Sequence, residues 1–160
     1  MWLHDGKLIA ENKSWVDTNG IRHPPNWSAV WSDEDKIAAG MEEVADPEKP
    51  SGIFYDFSRN EDGSYTSIER DLNLLKTQYI ESTKQTANQL LAISDWQVIA
   101  KAERDRTIDA AVATYRAAVI SACTTIEAAI TGAANMAAFQ ALFDIPVGGN
   151  APVHDWPEGL

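Results

Sequence analysis

The chain has 160 residues, 44% of them apolar, and a formal net charge of -11 with a pI near 4.5. That is enough apolar material for a core, which excludes wholesale disorder. The negative field opposes binding to a phosphate backbone or an anionic membrane surface.

The single cysteine, Cys123, rules out an internal disulfide and points to a reducing compartment. No window reaches 18 apolar residues, so no membrane span is expected. The opening MWLHDGKLIAENK lacks the basic start and apolar run of a secretory signal, and none is expected there.

From the N-terminus the chain reads as short strands. Asp5-Gly6 separates Trp2-Leu3-His4 from Lys7-Leu8-Ile9, and Asn19-Gly20 separates Trp15-Val16-Asp17-Thr18 from Ile21-Arg22-His23. Both dipeptides tolerate positive φ, so both predict hairpins with type I′ turns. Pro24-Pro25 stops the second hairpin, because proline cannot donate to a ladder. Ser32-Asp33-Glu34-Asp35 predicts a capped helix start, and Gly40 its end. Asp46 to Gly52 reads as a linker by composition. Ile53–Phe57 and Ser64–Ile68 predict a third hairpin turning through Asn60 to Gly63.

From Asp71 the apolar period changes from two to about 3.6. Leu72, Leu75, Tyr79, Thr83, Ala87 and Leu90 share one helix face, with Asp71 as its cap. Ser94 is placed to cap the next helix in a box with Gln97, and Ile93 to staple onto Val98. A large aromatic, Trp96, follows this joint and is expected to be buried as a wedge between the two helices. Asp105-Arg106-Thr107 breaks the pattern. Ile108, Val112, Tyr115, Val119, Ala122, Ile126 and Ala129 then repeat at four and three, a heptad seam that can pair within one chain or between chains. Asn135 caps a short last helix with Met136, Phe139 and Leu142. A Pro/Gly-rich tail closes the chain, carrying Val147, Val153 and Trp156.

The organisation expected is α+β: a β-hairpin-rich N-terminal module over 1–70, a helical hairpin or small bundle over 71–145, and an extended tail over 146–160. Such a tail loses more entropy on ordering than three apolar side chains return. It is therefore expected to be mobile alone and fixed in a complex, with Trp156 seated in a pocket of a partner or neighbouring subunit; the alternative is that Trp156 folds back onto the helices of its own chain.

Catalytic chemistry finds no foothold. Asp33-Glu34-Asp35 and Glu42-Glu43 read as solvated surface, and His4, His23 and His154 show no ligand spacing. Cys123 lies beside the apolar seam with no local histidine, so it reads as a small hydrophobe. Phosphate-loop, GxSxG and HExxH patterns are absent from the sequence. No enzyme activity, catalytic residue, metal or cofactor is expected. The unusual feature is six tryptophans, and exposed Trp and Tyr dominate binding hot spots. Trp27, Trp31 and Trp156 are the tryptophan candidates for contact with a partner.

Ser94-Asp95-Trp96-Gln97-Val98-Ile99, then Ala102-Glu103, Tyr115-Arg116-Ala117-Ala118-Val119 and Ala122-Cys123, resemble the signature of phage tail fibre assembly chaperones and their relatives. His23-Pro24-Pro25-Asn26-Trp27 and the acidic helix ending at Gly40 resemble the N-terminal module often attached to that signature. The likeness spans roughly residues 20–45 and 72–145, in short motifs of common residues. It departs at Ala100, where relatives often carry a basic residue. The resemblance implies a helical joint built on Ser94, Asp95 and Trp96, with Tyr115 and Arg116 across from Trp96 and available to a partner. It implies a virus-encoded protein, oligomeric within a complex, that binds a trimeric receptor-binding tail fibre, and other tail proteins, and helps the fibre fold or attach. Its place would be the host cytoplasm during assembly. Relatives that are themselves tail components leave a resident role in the virion open, and an enzyme is the remote alternative.

Overall fold

The computed structural model describes residues 1–159; the last residue of the tail, Leu160, lies outside the described residues. Short strand pairs come first and helices follow, an α+β architecture. The chain divides into two compact units, Met1–Ile68 and one beginning at Glu69.

In the first unit, strand β1 (Trp2–His4) pairs antiparallel with β2 (Lys7–Leu8) through Asp5 (φ 50°) and Gly6 (φ 71°), the type I′ geometry. β3 (Trp15–Val16) and β4 (Arg22–His23) also pair, but their turn differs from the expectation. Only Gly20 has positive φ, and the Asp17 N–H donates to Ile21 O across a three-residue loop. The Asp17 carboxylate draws this loop open by accepting from the N–H groups of Asn19 and Ile21, each at 2.9 Å.

Helix α1 (Trp27–Val30) is one turn long. α2 (Asp33–Ala38) starts at a full capping box between Ser32 and Asp35 and ends before Gly40 (φ 78°). The chain then returns as β5 (Met41–Glu43), which pairs antiparallel with the free edge of β1. Nothing in its short, acidic sequence announces this strand. β6 (Tyr55–Arg59) and β7 (Tyr65–Glu69) form the third hairpin.

The core of this unit is Trp15, Trp27 and Met41, bordered by Trp2, Ile9, Trp31 and Ala39. Rings of His4, Trp15, His23 and Trp31 follow one another at centroid distances of 4.8, 4.3 and 5.2 Å. His4 Nε2 accepts the Thr18 N–H, so Nδ1 carries the proton and donates to Gly40 O.

In the second unit, α3 (Leu72–Ala92) and α5 (Ala110–Gly132) are the long helices, capped by Asp71 and Asp109. Contacts from Lys76 to Thr131, Lys84 to Glu127 and Leu91 to Arg116 establish that they run antiparallel. Leu75, Thr83 and Ala87 meet Val112, Tyr115, Val119, Ile126 and Ile130 at buried positions. The heptad seam therefore pairs within one chain. Thr83 is satisfied by donating to Tyr79 O at 2.8 Å. α6 (Met136–Gln140), capped by Asn135, adds the buried Met136 and Phe139. Tyr79, Phe139 and Phe143 meet edge to face at 5.0 to 5.6 Å.

The tail follows the second of its two expected courses. Ala151 and Val153 are buried, a 3-10 turn forms at Pro152–His154, and Trp156 packs on the cluster of Ala87, Tyr115 and Val119. The tail is a docked strap on its own helices, not an extended arm.

Candidate functional site

The hairpin arms are α3 and α5, and the segment between them forms a third helix, α4 (Asp95–Arg104). No residue of α4 is buried. Trp96 and Ile99 lie at helical spacing on α4 and are exposed at 55% and 53%, and Ile93, at the C-cap of α3, is exposed at 69%. The expected wedge is therefore wrong for Trp96, whose indole faces outward. Ile93 and Val98 form no buried staple either, since both are exposed.

The residue that enters the joint is Ser94. Its backbone, at φ -115° and ψ 4°, lies outside the extended region that an N-cap needs, and its side chain caps nothing. Its hydroxyl instead donates to Leu91 O at 3.1 Å. Arg116 reaches across from α5, and its Nη1 donates to Leu91 O, Ser94 Oγ and Asp95 Oδ1 at 2.8, 2.9 and 2.8 Å. Arg116 thus serves the joint through its Nη1, opposite Ser94 and Asp95 rather than Trp96. Gln97, expected in a capping box, accepts the Asp109 N–H at 2.9 Å and ties α4 to the start of α5.

Two of the other expected partner contacts lie inside the fold. Trp27 is 1% exposed and Tyr115 is buried, so both are core. Trp31 is half-buried beside His23, and Trp156 lies against its own helices. Of the tryptophans singled out, Trp96 alone, assigned to the core, stands out of it. Ile99, Arg104 and Arg106 were missed as surface. The signal was the 93, 96, 99 spacing with a basic end, obscured by placing Ser94 as a cap.

Arg106 lies with its guanidinium carbon 5.9 Å from the Trp96 ring centroid, a cation–π distance. Beside the pair is a cleft of about 550 Å³ whose lining includes Gln97, Ala100, Ile108 and Ala110. α4 opens with Asp95 and closes with Lys101 and Arg104, in step with its dipole. Asp105, in the left-handed conformation, ends it and pairs with Lys101.

Burial, then Glu127, pushes the Cys123 thiol up, and its Sγ donates to Glu127 Oε1 at 3.2 Å. That is the environment of an unreactive thiol. Among the described residues no group of His, Cys, Asp and Glu is placed to hold a metal ion, and no helix is long and apolar enough to cross a membrane. No protein-family model, curated protein or solved structure matches this chain.

Proposed function

We propose that this protein is a binding protein whose docking surface is α4, and that its partner is a phage tail fibre which it helps to fold, trimerise or attach. The observation that carries the first half is the outward apolar surface of Trp96 and Ile99 on α4, none of whose residues is buried, beside the exposed Ile93 at the C-cap of α3. A large aromatic flanked by aliphatics at this spacing is the pattern of a helix that lies in a partner's groove. The fibre as partner rests on the resemblance around Ser94 to Ile99 and Tyr115-Arg116. In this reading the joint residues belong to the scaffold and Trp96 belongs to the contact. The protein acts in the host cytoplasm, by binding and not by catalysis, and its acidic charge keeps the complex soluble through repulsion.

The test is co-expression with the fibre of the same virus. The double variant Trp96→Ala, Ile99→Ala is expected to lower the yield of soluble trimeric fibre while remaining folded. An unchanged yield would remove the proposal. Mass spectrometry of purified virions then addresses the role: a departing chaperone is absent, whereas a stoichiometric amount would make the protein a resident tail component.

A further inference from the structure

The cleft beside Trp96 has two chemistries. The Trp96 ring, Ala100 and Ile108 supply an apolar floor. Arg106 supplies a guanidinium at its rim. Neither Arg104 nor Arg106 has an ion-pair partner among the described residues, whereas nearby Lys101 is held by Asp105. Arg106 is the cation that lines the cleft; Asp109 lines it too, and its carboxylate accepts the Ala111 N–H as the cap of α5. Guanidinium is planar, stacks on aromatic rings and grips carboxylates with two parallel hydrogen bonds. Gln97, whose Oε1 accepts the Asp109 N–H, still has its amide NH₂ to donate.

We propose that the Trp96–Arg106 cleft receives an acidic segment of a partner protein, one that sets an apolar side chain beside an Asp or Glu. The proposal rests on the reading of α4 as a docking surface and names the chemistry of what docks. The apolar side chain covers Trp96 and Ile108, and the carboxylate accepts from Arg106. A second copy of this chain is a poor occupant. α4 has 10 residues and so spans about 15 Å, and two such helices crossing cover far less than the roughly 1,600 Å² of a stable interface.

The experiment titrates the full-length, isotope-labelled protein with two blocked peptides that share a leucine, one flanking it with Glu and the other with Lys. The Glu peptide is expected to shift the Trp96 indole and Arg106 side-chain resonances. Arg106→Glu should weaken it by about tenfold or more and strengthen the Lys peptide. Arg106→Gln, which keeps the polar side chain without the charge, should fall between. Equal shifts from both peptides, shifts confined to other surfaces, or no shifts would overturn the proposal. So would a concentration-dependent dimer in sedimentation that Trp96→Ala dissolves, since a second copy would then cover the face. Fibre binding that depends on Trp96 with no preference between the peptides removes the acidic segment and leaves the docking surface. Peptide discrimination with fibre binding indifferent to Trp96 does the reverse.

Discussion

Truncating Trp96 to Ala removes an indole that is already 55% exposed, whereas truncating Trp27 empties a site that is 1% exposed. Trp27→Ala is expected to cost about 3–5 kcal/mol, as large core truncations do. Trp96→Ala should stay within about 0.5 kcal/mol of the parent, as surface changes do. Chemical denaturation of both variants checks the contrast, and equal losses would contradict it. Composition marked tryptophan as the unusual residue but not which way each one faces, because a one-residue change in where a helix starts rotates every side chain by about 100°. Asp17 gives a second prediction at this scale. The Ile21 N–H, opposed by burial and helped by His23 and the Asn19 N–H, holds its carboxyl below the ordinary value of 3.8. A lowered folded-state pKa contributes stability above the ordinary carboxylate range and loses it as pH falls through the lowered value. The Ile21 amide resonance should therefore move at lower pH than amides beside carboxylates of ordinary pKa. Movement within or above the ordinary carboxylate range would count against this.

The caps at Ser32, Asp71 and Asn135 were legible because each side chain acts within three residues of itself, on a backbone that the local sequence sets. Ser94 has the same composition around it but a different task, because its partner Arg116 is 22 residues away and carries no local signal. β5 was illegible for a similar reason: three residues become a strand only because β1 offers an edge. The joint makes a direct prediction. Arg116→Ala removes the contacts of one Nη1, whose two hydrogens are shared among Leu91 O, Ser94 Oγ and Asp95 Oδ1, and a charged hydrogen bond is worth about 1.5–3 kcal/mol. The loss should fall on α4, which has no buried side chain to hold its direction. Amide exchange should quicken over 95–104 while the centre of α5, around the fully buried Val119 and Ile126, keeps its protection. Uniform loss across α3, α4 and α5 would make Arg116 a general core element instead.

Across the whole chain, the change of period near residue 70 made the succession of strands and then helices readable. The docking of the tail was not readable, since Ala151, Val153 and Trp156 have no spacing of their own and find their places only once α3 and α5 are paired. Removing residues 146–160 should lower stability by about 2 kcal/mol or more, the burial of Val153 alone being worth about that. An unchanged melting temperature would return the tail to the status of a free arm. α4 is a ten-residue helix with no buried residue, and its role as the docking surface is the claim on which the functional reading stands. Hydrogen exchange of residues 95–104, measured for the protein alone and with the proposed tail fibre partner, tests that claim most directly. The expected result is rapid exchange alone, slowing strongly on binding. Equal exchange in the two states, with protection appearing elsewhere, would contradict it.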